Sequence, residues 1–248
     1  MHRKDLNERS PLRLLEQSIH GGLGRGNIGV VAARHGIGKS AVLVGIALDD
    51  LMRGRKVLHV ALDERFDKIR DYYDEIFMDL AKTGKLQDID TERREVDRYR
   101  NIHTYVGNSF SIAKLREAIT FLNTYMHFYP AALILEGYRF EQATKESMDE
   151  LRQIAREIDG ELWMSAVTHR NSEKNERGIP EPLAHLEDSI DVILALEQGD
   201  KSVTLRLLKD HNNPDVSPSH VALDQPRYCS SRNRRSSGAD EDGHKLQV

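Results

Sequence analysis

The segment Ala33-Arg34-His35-Gly36-Ile37-Gly38-Lys39-Ser40 separates two apolar stretches of different period. Before it, Ile28 to Ala32 is an unbroken apolar run of strand length. After it, Ala41, Leu43, Val44, Ala47, Leu48 and Leu51 recur at helical spacing until Gly54. A strand that passes through a two-glycine loop straight into a helix begins a crossover, and the strand that follows a crossover runs parallel to the first. Val57 to Leu62, again apolar and short, supplies that second strand. Strands apolar throughout need cover on both faces, which confines the chain to a helix-covered parallel sheet.

The alternation continues along the chain. Phe66, Ile69, Tyr73, Ile76, Phe77 and Leu80 mark one face of a helix, residues 84–101 form a charged helical insertion, and Ile102 to Val106 makes a third strand. Ile112, Leu115, Ile119, Leu122 and Met126 give the next helix, and Pro130 opens a fourth strand over Ala131 to Leu135. Met148, Leu151, Ala155 and Ile158 line a helix whose start carries Ser147 and Glu150 at capping-box spacing, and Gly160 stops it. Leu162 to Val167 is a fifth strand and residues 169–187 a polar loop. Ile190 to Leu196, Val203 to Leu208 and His220 to Leu223 are late strands joined by turns. Strands alternating with helices early and succeeding one another late predict an α/β fold: a mostly parallel central sheet flanked by helices, with antiparallel strands at its C-terminal edge.

Composition agrees with one such domain. The 248 residues are 39% hydrophobic and 31% charged, enough for a sizeable core and a polar surface. Residues 1–225 are expected to form the domain and residues 226–248, rich in Ser, Arg, Gly and Asp, a disordered tail. The net charge is −4; the five basic and three acidic residues of the tail carry +2, which leaves the preceding 225 residues at −6. That balance argues against coating nucleic acid through bulk charge. Cys229 is the single cysteine, so no internal disulfide forms and a reducing compartment is expected. No apolar run approaches the roughly 18 to 20 residues that span a bilayer, so a cytoplasmic protein without a membrane partner is expected.

The segment at 33–40 matches G-x-x-x-x-G-K-Ser/Thr, with Ala33 in the first position. Gly36 and Gly38 allow the tight turn that aims successive backbone N–H groups at phosphate oxygens, and the positive end of the following helix adds to the attraction. Lys39 supplies a cation for the β- and γ-phosphates, and the Ser40 hydroxyl is a ligand for Mg²⁺. Arg34, His35, Gly36, Ile37, Gly38, Lys39, Ser40 and Ala41 are therefore the expected phosphate-binding residues. The eleven histidines show no metal-ligand spacing with Cys or with each other, so no zinc site is expected.

Together with this loop, Gly21-Gly22-Leu23-Gly24-Arg25-Gly26 and Lys56-Val57-Leu58-His59-Val60-Ala61-Leu62-Asp63-Glu64 resemble the RecA/KaiC/DnaB class of P-loop ATPases, most of all a single KaiC-type domain. By order of elements the resemblance runs over residues 10 to 225, and it is close over the first 70. It implies ATP and Mg²⁺ as ligands, a RecA-like fold and a homo-oligomer, with a hexameric ring among its forms. It also implies a set of roles. A carboxylate after the second strand polarises the attacking water, and Asp63 or Glu64 stands there. A carboxylate ending the fourth strand holds the metal shell, and here it is Glu136 in place of the usual Asp. Thr168-His169 replaces the usual Ser/Thr-Gln, which makes His169 the counterpart of the γ-phosphate sensor. Lys209-Asp210-His211 replaces Lys-x-Arg, so Lys209 is retained while His211 stands in for the arginine finger that reaches a neighbour's nucleotide. Loss of that cation predicts slow hydrolysis.

The first expectation is thus a Mg²⁺·ATP-binding ATPase of low turnover in which nucleotide controls oligomeric state or partner binding. Two alternatives stay open at this point: a DNA-dependent helicase- or recombinase-like ATPase, and a regulatory scaffold that binds nucleotide without hydrolysing it. Arg170, Lys174 and Arg177 lie where DNA-binding relatives line their channel, but Glu173 and Glu176 are interleaved with them and no aromatic residue is, so nucleic acid is not favoured. The stretch Asp88 to Arg100 is a solvated helix face or a protein-partner surface, and Arg232, Arg234 and Arg235 are a weak interaction signal.

Overall fold

The computed structural model describes residue 19, residues 21–170, 172–199 and 203–213, and the backbone of 220–223. Residues 226–248, with Cys229 and the three arginines of the tail, lie outside the described residues. The element order is β1 (Ile28–Ala33), α1 (Lys39–Met52), β2 (Val57–Leu62), α2 (Phe66–Thr83), α3 (Ile89–Tyr99), β3 (Arg100–Tyr105), α4 (Ile112–Met126), β4 (Ala132–Glu136), α5 (Lys145–Glu157), β5 (Glu161–Val167), β6 (Val192–Gln198), β7 (Val203–Asp210) and β8 (His220–Leu223). These strands make one eight-stranded sheet in the order β3-β2-β4-β5-β1-β6-β7-β8. The first six in that order are parallel neighbours, and β7 and β8 extend the β6 edge antiparallel. The fold is α/β, as the alternation of periods predicts. Among the described residues no helix is long and apolar enough to cross a membrane.

Each central strand feeds two cores, because successive side chains leave a strand on opposite faces. Val31 and Ala33 of β1 join Ala132 and Ile134 of β4 in the core beneath α1 and α2. Ile28, Val30 and Ala32 join Leu133 and Leu135 in the core that covers α4 and α5 on the other face. This is why the strands are apolar at every position rather than at every second one.

Four local expectations need correction. The charged stretch 84–101 is not one insertion: Asp88 accepts a hydrogen bond from the Thr91 N–H and starts the separate helix α3, which buries Val96 against the α1 face. Arg100 and Asn101 belong to β3, where the Arg100 guanidinium lies 4.5 Å from the Tyr73 ring centroid, a cation–π contact. Helix α5 is capped by Thr144, not by Ser147. Each of these two hydroxyls bonds the other's backbone N–H, so Ser147 serves as the third helical residue of the capping box; Ile154 is buried as well, and Ile158 packs half-buried against the same core. The loop after β5 is anchored rather than wholly polar: Ile179, Leu183 and Leu186 are buried in the α4–α5 core.

Candidate functional site

At the carboxyl end of β1 the backbone turns through Gly36 (φ +76°) and Gly38 (φ +115°), and α1 begins at Lys39 with no side-chain cap on its first amides. A β-carbon disfavours such dihedrals, so the two glycines are what let the loop fold directly over the helix start. The first-turn N–H groups of a helix have no intrahelical partners, so this turn offers free donors at its positive end. Lys39 curls back over the loop, its Nζ donating to the Ala33 and Arg34 carbonyl oxygens at 3.1 Å each. Burial lowers its pKa, and the charge of Glu136 works in the opposite direction.

Glu136 reaches the same place from β4. Its Oε1 accepts a hydrogen bond from the Ser40 hydroxyl, and its Oε2 faces His59 Nε2 at 3.4 Å. Burial alone would push this carboxyl up, but His59, Ser40 and Lys39 together outweigh it and hold the carboxyl below its usual range. The chain leaves Glu136 through Gly137 at φ +85°, where a β-carbon would stand 2.7 Å from the Leu62 carbonyl oxygen. Only glycine permits that turn beside β2, and the Gly137 N–H is taken by the Ser165 hydroxyl at 3.0 Å. Lys39, Ser40, Glu64, Lys68, Tyr72 and Glu136 thus converge on one cavity of about 450 Å³.

The two acids after β2 part company. Asp63 has φ +57°, and its Oδ1 accepts from the Gly107 N–H at 2.6 Å while its Oδ2 accepts from Arg139 at 3.2 Å. These bonds carry it into a neighbouring cleft beside Asn108, Phe110 and Tyr138. Glu64 instead lines the cavity with Lys39, with one oxygen ion-paired to Lys68 Nζ and the other accepting from the Arg65 N–H at 3.1 Å.

Of the other expected residues, His35, Gly36, Gly38 and Ala41 also line this cavity, whereas Arg34, Ile37 and His169 line a separate cleft that His35 and Arg170 share. Val167 and Ser165, rather than His169, face Lys39 from β5. Lys209 and His211 lie at the far end of the sheet, because β7 runs antiparallel and Asp210 pairs with Val192 at the start of β6. The Lys209 Nζ donates to the Glu187 carbonyl at 2.6 Å, and the two His211 ring nitrogens stand 2.8 Å from Asp210 Oδ1 and 2.9 Å from the Leu23 carbonyl oxygen. Both side chains are thereby engaged within their own chain. Sequence reasoning missed Lys68, Tyr72, Ser165 and His59. Lys68 and Tyr72 carried a signal, since they follow Glu64 at four-residue intervals on one helix face. His59 carried another, as the lone polar side chain in an apolar strand.

No protein-family model matches the chain, and no curated protein matches it significantly.

Proposed function

We propose that the chain is a Mg²⁺·ATP-binding, RecA/KaiC-like ATPase of slow turnover. The observation that carries this reading is the convergence of Lys39, Ser40, Glu136 and Glu64 on one cavity at the carboxyl edge of parallel strands, which is where ligands bind open α/β sheets. The residues suit the ligand. A phosphate would take the uncapped amides of α1 and draw Lys39 Nζ away from the two carbonyls it now serves. Ser40 and Glu136 are oxygen donors of the hard type that Mg²⁺ selects. Mg²⁺, when bound, neutralises charge that develops on phosphate oxygens.

Within the chain, Lys39 binds and orients the terminal phosphates, Ser40 and Glu136 hold the metal shell, and Glu64 is the group placed to accept a proton from attacking water. Glu64 is ion-paired with Lys68, so it must leave that partner before it can meet the water. His211 stands where the related class carries its arginine finger, so transition-state charge lacks the support that a guanidinium supplies. Both features favour slow turnover, with binding energy left to bias oligomeric state or partner affinity.

The DNA-dependent reading has weaker support, because Arg177 is paired with Glu187 and the loop that carries it is pinned by buried Ile179, Leu183 and Leu186. The deciding experiment measures Mg²⁺·ATP binding and phosphate release in the parent, Lys39→Ala and Glu64→Gln proteins. Lys39→Ala should lose binding, whereas Glu64→Gln should keep binding and lose at least about 100-fold in turnover, as general-base removal does. Equal and rapid phosphate release in all three refutes the assignment. Light-scattering mass with and without Mg²⁺·ATP then tests control of oligomeric state.

A further inference from the structure

Behind Glu136 lies a buried relay that the proposed chemistry does not use. His59, in the middle of β2, is fully buried. Its Nδ1 stands 3.0 Å from the Tyr73 hydroxyl, and the two rings meet edge-on. Tyr73 is itself buried under the Arg100 guanidinium, and burial raises its pKa, so its hydroxyl keeps its proton and serves as donor. In the tautomer in which Nδ1 accepts this bond, Nε2 carries a hydrogen and turns it toward Glu136. Nε2 points at Glu136 Oε2 from 3.4 Å, longer than an ordinary hydrogen bond, and these two buried atoms have no other hydrogen-bond partner. A buried donor and a buried acceptor that face only each other are costly to leave apart.

We propose that His59 is a positioning residue for Glu136: fixed from behind by Tyr73, it takes Oε2 so that Oε1 alone is presented to Ser40 and the cavity. Its need follows from the side chain at 136. Glutamate has one more rotatable bond than the aspartate usual at such a strand end, and without a fixed second partner the carboxylate can turn either oxygen, or both, toward the loop. Mg²⁺ tolerates little departure from octahedral geometry, so a wandering carboxylate weakens it. Partners that orient a metal-binding group typically change metal affinity by 10- to 100-fold when removed. The inference rests on the Mg²⁺·ATP reading for its consequence, but not for its geometry.

The test therefore has two arms on the full chain. In the first, without nucleotide, ¹⁵N-histidine spectra should show a hydrogen on His59 Nε2, and that resonance should shift in Glu136→Gln. A bare Nε2 overturns the proposal whatever the protein binds. In the second arm, Mg²⁺-dependent tightening of a fluorescent ATP analogue is measured against affinity in EDTA. His59→Leu should lose about tenfold of the tightening with EDTA affinity unchanged. His59→Gln, whose amide places a donor near the Nε2 position, should restore it and guards against a folding defect in the leucine variant. In a Glu136→Asp background the shorter carboxylate withdraws from His59, so His59→Leu should add nothing. Equal losses with Mg²⁺ and with EDTA make the role merely structural and overturn the proposal. A parent that binds no analogue refutes the nucleotide reading, while the first arm still decides whether His59 holds Glu136.

Discussion

The two ends of the parallel sheet use charge in opposite ways. At the amino end Asp191 Oδ2 accepts from the Ile28 N–H and from Arg152, both at 2.8 Å, and Arg152 also donates to the Ser189 carbonyl at 3.1 Å. Lys209 and His211 are committed to the Glu187 and Leu23 carbonyls in the same region. There, side chains stitch loops to strand starts. At the carboxyl end Lys39 is held by carbonyls of its own loop, Glu64 by a neighbour one turn along, and Glu136 has one oxygen without a hydrogen bond, all around a cavity. A network that ties loops to strand starts closes the fold, whereas one arranged around a cavity can be re-partnered by a ligand.

The contrast breaks if stability and binding do not separate between the two ends. Asp191→Ala should have the largest effect, about 3 kcal/mol of stability, because it strands a mostly buried Arg152 and the Ile28 N–H; chemical denaturation measures it, and nucleotide affinity should hold in the folded fraction. Lys39→Ala should cost about 2 kcal/mol of nucleotide binding, roughly 30-fold, with an unchanged melting temperature, since a charge-assisted bond to ligand is lost and none to the core. A large drop in stability for Lys39→Ala would make the carboxyl end a structural network after all.

The smallest effect sharpens the amino end. Burial opposes charge on His211, but its bonds to Asp210 and the Leu23 carbonyl prevail and raise its pKa above the ordinary value. The folded state thus binds the proton more tightly than the unfolded one. The contribution is complete below the unfolded pKa of about 6.5 and fades as pH rises through the raised value. Melting curves of the parent and His211→Asn from pH 5.5 to 8.5 should therefore converge toward the alkaline end, and curves that stay parallel would show that His211 contributes no proton linkage.

Much of this was legible along the chain because it depends on local period. The largely apolar β1, β2 and β4, and the helical spacing between them, dictate a parallel sheet, and Lys39, Ser40 and Glu136 follow or end strands whose carboxyl ends such a sheet gathers on one edge. What escaped depends on dihedrals and on partners distant in sequence. Whether Asp63 or Glu64 enters the cavity is decided by the positive φ at Asp63 and by Gly107, forty-four residues away. The His59–Tyr73 pairing spans fourteen residues and two elements. The hold of the Glu187 and Leu23 carbonyls on Lys209 and His211 likewise joins residues far apart in sequence.

Helix α1 buries eleven of its fourteen residues, whereas α2 buries five of eighteen. Local opening costs most where apolar contact is densest, so beyond its first turn α1 should exchange its amide hydrogens more slowly than α2. The cavity therefore lies between the more deeply packed helix, which carries Lys39 and Ser40, and the less packed one, which carries Lys68 and Tyr72. Any strain set up between the two is relieved on the α2 side, toward the solvent-facing surface of the molecule.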